Sequence, residues 1–192
     1  AVERNNYVLY PHTQAIPAGA APKILNRPYS INAEVTVPVE GAEGVLLSMG
    51  GNDGGISFYV QDGALCFVHN YVAKERYTVT SDTLVPAGDH FLSMEFEPTG
   101  PADVANGKGT PGTVTLLVDG KEIGWGDIPI TAPLRLGQGA QMLVGADEGA
   151  PVTNAYKPPF PFSGAIKRVI VDVSGEHVVD HQLAMRVALR KQ

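Results

Sequence analysis

Residues 55–71 read GISFYVQDGALCFVHNY, two runs of alternating side chains joined by Asp62-Gly63. Asp-Gly supplies the positive φ that a two-residue hairpin turn needs, so Gln61 is expected opposite Ala64 and the register follows outward. Val60 then faces Leu65, Phe58 faces Phe67, and Ile56 faces His69. Side chains alternate with period two, so these six share one face, while Ser57, Tyr59, Gln61, Cys66, Val68 and Asn70 share the other. The first face reads as core; the second is mixed and reads as one that could be wet.

The same alternation continues on both sides. Tyr29, Ile31, Ala33, Val35 and Val37 form an apolar row ended by Pro38, which predicts a strand. Further strands are expected at 44–49, 75–81, 89–97, 113–119, 121–127, 141–145 and 164–173. Turn residues separate nearly all of them, the pattern of a two-sheet antiparallel sandwich rather than of βαβ units. A second hairpin turns at Asp119-Gly120, with Val118 expected opposite Lys121, Leu116 opposite Ile123, and Val114 opposite Trp125, which places Trp125 on an apolar face. Residues 1–24 carry scattered prolines and no period, and read as an extended connector from a preceding domain. The sandwich is expected over 25–175. Residues 176–192 form a tail of good helix formers, for which a short helix is expected.

A chain of 192 residues with 44% apolar content can bury one core without a staple. The single Cys66 cannot form an internal disulfide, so cysteine usage does not report a compartment. Twenty acidic against fourteen basic residues, a net charge of −6, disfavour nucleic acid and anionic membranes as partners. No apolar run reaches the length of a membrane span. The polar start without Met predicts a piece of a longer protein.

Signatures of catalysis are missing. No G-x-S-x-G elbow appears, and Cys66, flanked by Leu65 and Phe67, reads as a small packed hydrophobe. Only His177 and His181 share an i, i+4 spacing, and the intervening Val-Val-Asp lacks the glutamate of a zinc protease. Glu95 and Glu97 lie on one face of a strand roughly 7 Å apart, inside the range of a glycosidase pair, but they read as solvated side chains opposite Leu92, Met94 and Phe96. Asp147-Glu148-Gly149, with Asn154 nearby, has the oxygens for a calcium ion and equally those of an ordinary turn. Asn70, Tyr71, Arg76, Tyr77 and Tyr156 offer the aromatic and planar polar groups that carbohydrate binding needs. The alternative places Tyr71 and Tyr77 at a sheet interface with their hydroxyls at its rim.

Several stretches together resemble one family. They are Ile24-Leu25-Asn26-Arg27-Pro28-Tyr29-Ser30-Ile31, Glu43-Gly44-Val45-Leu46-Leu47 through Gly50-Gly51, Gly55 to Val60, and Asn70-Tyr71 with Glu75-Arg76-Tyr77. Gly112 to Leu116, Val118-Asp119-Gly120-Lys121 and Pro159-Phe160-Pro161-Phe162-Ser163-Gly164 continue the likeness. In order, over about residues 22–174, they resemble the C-terminal domain of bacterial arylsulfatases of the formylglycine-dependent type. The resemblance implies a concanavalin A-like jelly roll that packs against a preceding α/β catalytic domain, whose formylglycine and calcium would lie outside this chain. The signature of that catalytic domain is Cys or Ser, any residue, Pro, then usually Ser and Arg. Cys66 is followed by Phe67-Val68-His69-Asn70, and the nearest echo, Thr131-Ala132-Pro133-Leu134-Arg135, begins with a residue that is not converted. No catalytic, cofactor or metal residue carries over.

The expected function is therefore an accessory domain of a sulfuric ester hydrolase, non-catalytic alone, with Arg27, Asn70, Tyr71, Arg76 and Tyr77 as the candidate partner or ligand contacts. The alternative is an autonomous carbohydrate-binding module of laminin G or lectin type.

Overall fold

The computed structural model describes residues 4–175, and the expected tail helix at 176–192, with His177 and His181, lies outside them. Twelve strands form two antiparallel six-stranded sheets. In chain order they are β1 (Asn6–Leu9), β2 (Ile16–Pro17), β3 (Tyr29–Val37), β4 (Gly44–Gly51), β5 (Gly54–Gln61) and β6 (Ala64–Tyr71). Then follow β7 (Glu75–Leu84), β8 (Gly88–Pro98), β9 (Gly112–Val118), β10 (Lys121–Ile128), β11 (Gln141–Val144) and β12 (Ala165–Asp172). One sheet, here sheet A, has the order β1-β12-β3-β8-β9-β10, and sheet B the order β2-β11-β4-β5-β6-β7. A single 3-10 turn, Val104–Asn106, lies in the long loop between β8 and β9.

The first hairpin has the expected register, with Val60 opposite Leu65, Phe58 opposite Phe67 and Ile56 opposite His69. Asp62 and Gly63 take φ of 52° and 78°, the left-handed pair of a type I′ turn. The apolar row of this hairpin meets those of β3, β8, β9 and β12 in one core. Phe58 and Phe67 are completely buried there, and each such side chain contributes about 1.5–3 kcal/mol by leaving water.

Three expectations are corrected. The second hairpin turns where expected, but a bulge between Glu122 and Gly124 shifts the register, so Gly124 faces Leu116, Trp125 faces Thr115 and Gly126 faces Val114. Trp125 thus points outward. The cause is the neighbouring sheet: a Cβ on Gly124 would lie 2.8 Å from Ser81 Cα, and one on Gly126 2.9 Å from Val79 Cγ2. Sheet A closes onto β7 only if the inward positions carry no side chain, and an extra residue in one strand is what makes that exchange.

The second face of the first hairpin is not wet. Residues 146–162 cross it, and Val45, Tyr59, Cys66, Val68, Val152 and Tyr156 form a second apolar cluster beneath them. Gly44 permits this covering, since at φ 120° a Cβ there would lie 2.2 Å from the carbonyl oxygen of Pro161. Residues 1–24 are more than a connector, because β1 pairs with β12 and β2 with β11. Short pairings of this kind extend a sheet at its edge without any sequence period long enough to announce them.

Candidate functional site

The five residues singled out from the sequence gather at one end of the sandwich, where the polar atoms of Arg27, Asn70, Tyr71 and Arg76 serve the loops. Asn70 is completely buried; its Nδ2 points at the carbonyls of Gly51 (3.2 Å), Asn52 (3.2 Å) and Val152 (2.9 Å). Its Oδ1 accepts the Ala73 N–H at 2.9 Å. Arg76, opposite Asn70 in the ladder, donates from Nε to the same Val152 carbonyl at 3.1 Å. The Tyr71 hydroxyl donates to Gly107 O at 2.7 Å, and Arg27 donates to Gly175 O at 2.7 Å. Tyr77 is half-buried against the core and faces His69 across the ladder. Irregular loops leave carbonyls without ladder partners, and these side chains satisfy them.

Tyr156 and Asp147 are likewise internal. The Tyr156 hydroxyl donates to Asp147 Oδ2 at 2.6 Å and lies 2.7 Å from Ser57 Oγ. The Val152 N–H donates to the same carboxylate oxygen at 3.0 Å. Burial raises the Asp147 carboxyl above its ordinary range, against the pull of these two donors. Tyr156 also packs on Tyr59 and Phe160, with ring centroids 5.1 and 4.9 Å apart. Asp147 therefore anchors the covering segment, while Glu148 and Asn154 face solvent. Among the described residues no group of three or more His, Cys, Asp or Glu side chains converges.

The outer face of sheet A differs, because no segment among the described residues crosses it. It holds a depression of about 470 Å³ lined by Asn32, Phe91, Ser93, Glu95, Leu117 and Ile170. Ladder pairing sets these residues in rows across the sheet: Ile170, Asn32, Ser93 and Leu117 in one, Asp172, Ser30, Glu95, Thr115 and Trp125 in the next. Trp125 is 58% exposed and Phe91 37%. Strand spacing and rise put these two aromatic rings roughly 16 Å apart along a diagonal of the face.

Local hydrogen bonds fix polar groups elsewhere on the same face, on β3 and β12. Asn32 Nδ2 donates to Ser30 Oγ at 3.0 Å, and Arg168 Nε donates to Glu34 Oε2 at 2.6 Å, which holds the Glu34 carboxyl below its ordinary range. At the border His90 Nδ1 lies 2.6 Å from Asp119 Oδ2, and Asp119 Oδ1 accepts the Phe91 N–H at 2.8 Å. Glu95 and Glu97 are exposed, and no hydrogen bond engages either side chain among the described residues. Sequence reasoning missed Trp125. The signal was Gly124-Trp125-Gly126, an aromatic between two residues suited to a tightly packed inner side. Phe91 was legible as the odd member of β8, out of phase with Leu92, Met94 and Phe96.

No protein-family model and no curated protein matches the chain. Solved structures do. The CBM40 domain of the Ruminococcus gnavus IT-sialidase, bound to α2,3 sialyllactose, is similar with a TM-score of 0.55 and 16% identity over 90% of this chain and 91% of that one. The fold is an antiparallel two-sheet jelly-roll sandwich, the architecture these domains share. Domain 4 of the extracellular GH43 arabinanase AbnA from Geobacillus stearothermophilus, in complex with arabinotriose, gives a TM-score of 0.51 at 16% identity over 88% of this chain and 82% of that one. Domains LG4-5 of the mouse laminin α1 chain give 0.51 at 16%, over 91% of this chain and 40% of that one. At these identities the likeness defines the architecture of the sandwich.

Proposed function

We propose that this chain is a glycan-binding module whose ligand lies on the outer face of sheet A, between Trp125 and Phe91. The observation that carries the reading is Trp125, turned outward by a bulge beside an open groove. An exposed indole offers a flat apolar surface to the C–H face of a sugar ring, and Ser93 and Glu95, with the mutually hydrogen-bonded Asn32 and Ser30, offer donors and acceptors to its hydroxyls. The separation of the two rings suits an oligosaccharide rather than a single sugar. Glu34, Glu95, Glu97, Asp127 and Asp172 outnumber Lys167 and Arg168 around the groove, which favours a neutral glycan over a sialylated or sulfated one. Similarity to modules seen with sialyllactose and arabinotriose supports the class of ligand.

Titration calorimetry against neutral, sialylated and sulfated oligosaccharides tests this. Saturable binding of a neutral oligosaccharide, weakened about 5- to 10-fold in Trp125→Ala, is expected from the loss of about 1–1.4 kcal/mol of stacking. Trp125→Ala binding as tightly as the parent chain would refute the site. An acidic glycan preferred over all neutral ones would refute the electrostatic argument.

A second reading places the module as the C-terminal partner of an arylsulfatase-like catalytic domain. It is supported by the bracing of one sandwich end through Arg27, Asn70, Tyr71 and Arg76, within the stretches that resemble that family, since a rigid end suits domain contact. The coding sequence upstream of Ala1 would then contain the Cys/Ser-x-Pro-x-Arg signature. Turnover of an aryl sulfate by this chain alone would contradict the reading.

A further inference from the structure

A second cavity lies at the braced end of the sandwich, away from the open face. Its volume is about 560 Å³, within the range that encloses a small organic ligand. Its walls are Ile24, Leu25, Met49, Leu136, Ala140 and the 74% exposed Leu134. Among the described residues, the charged members of the lining are two cations, Lys23 and Arg135, in a chain whose net charge is −6. Lys23 Nζ donates to Ala18 O at 2.8 Å, which holds the ammonium at the wall. Arg135 is exposed and has no carboxylate partner among the described residues.

The walls are tied in place. Asn26 takes a left-handed φ of 56° and is nearly buried. Its Nδ2 donates to Pro133 O at 2.9 Å and its Oδ1 accepts the Thr110 N–H at 3.0 Å. Asp53 Oδ2 accepts the Gln138 N–H at 2.8 Å. Three loops therefore hold a preformed hollow, which lowers the ordering cost of filling it.

We infer that this cavity binds a small amphipathic anion, an aliphatic or aromatic body carrying one carboxylate, sulfate or sulfonate. A sugar would find too few hydrogen-bonding groups in these walls, whereas an apolar body gains by leaving water. The cationic rim then selects the head group, and among the described residues no lining carboxylate opposes it.

The chain has four methionines, so methyl-labelled methionine gives a sparse NMR spectrum in which Met49 reports the cavity and Met94, in the core under β8, serves as control. The probes are 4-phenylbutyrate and its uncharged counterpart 4-phenylbutan-1-ol. The expected result is a saturable shift of Met49 but not Met94, with the acid bound more tightly than the alcohol and weakened by added salt. Arg135→Gln should weaken the acid about two- to fivefold, the range of an exposed ion pair, and leave the alcohol unchanged. Ala18→Trp, which fills the mouth, should abolish both. A silent Met49, equal affinity for acid and alcohol, or indifference to Arg135→Gln would each overturn the inference.

Discussion

His69 offers the sharpest quantitative test of the packing. It lies on the core face of β6, 3% exposed, opposite Ile56 on β5 and Tyr77 on β7. Its Nε2 accepts the Ala132 N–H at 3.1 Å, so the ring is neutral with its proton on Nδ1. Among the described residues no carboxylate bonds to it, and burial lowers its pKa from 6.5 to about 4. Between those values the unfolded chain binds a proton here that the folded chain does not, so stability falls as pH falls. Below about 4 both states are protonated and the loss stops growing. At about 1.4 kcal/mol per pH unit, the total is about 3 kcal/mol, a large part of the about 5–15 kcal/mol that holds a typical domain together.

His69→Gln keeps an acceptor for Ala132 N–H and does not titrate. Urea unfolding at intervals from pH 7 to pH 4 should show the parent chain losing about 3 kcal/mol more than the variant over that range. The comparison of slopes cancels the cost of the substitution itself and the titration of every other group, including Asp147, whose raised pKa acts in the opposite direction. Parallel profiles would refute the claim that a neutral imidazole is locked in the core.

Other consequences are as direct. The His90–Asp119 contact raises the His90 pKa and lowers that of Asp119. Its contribution is fully present between the ordinary values of about 3.9 and 6.5, fading as pH rises through the folded His90 value or falls through that of Asp119. NMR titration should show Asp119→Asn moving His90 back toward its ordinary range. Asn70→Ala leaves several loop carbonyls without their donor and should cost about 2 kcal/mol or more in urea unfolding. Gly44→Ala forces a Cβ against Pro161 and should loosen the 146–162 segment, seen as faster reaction of Cys66, now buried beneath it, with a thiol reagent.

The strands of this chain are visible because each has one face in a single core, so period-two alternation survives in β3, β8, β9 and the β5–β6 hairpin. What escapes is whatever depends on a second layer. The bulge before Gly124 answers the approach of Val79 and Ser81 from the other sheet, which no local pattern in β10 encodes. Residues 146–162 cover sheet B with prolines, turns and one buried Tyr156-Asp147 pair, and such a segment has no period to detect. Asn70 and Arg76 show the same limit for the site. Their polarity reads as surface chemistry, yet the nearby loops are irregular enough that unpaired carbonyls draw these side chains inward. The residue with the best claim on a ligand, Trp125, read as core for the same reason.

The placement of β1 beside β12 has a mechanical corollary. Asn6 faces Asp172, and the Val173 N–H donates to Asn5 O at 2.8 Å, so the two ends of the described chain lie side by side on antiparallel strands. A load applied between residues 5 and 173 acts across this ladder and breaks it one rung at a time, as a zipper opens, instead of shearing all its rungs together. Anchored by both ends, the sandwich would therefore shed β1 under small forces while β3, β8 and β9 remained folded, and the aromatic face would outlast the seam.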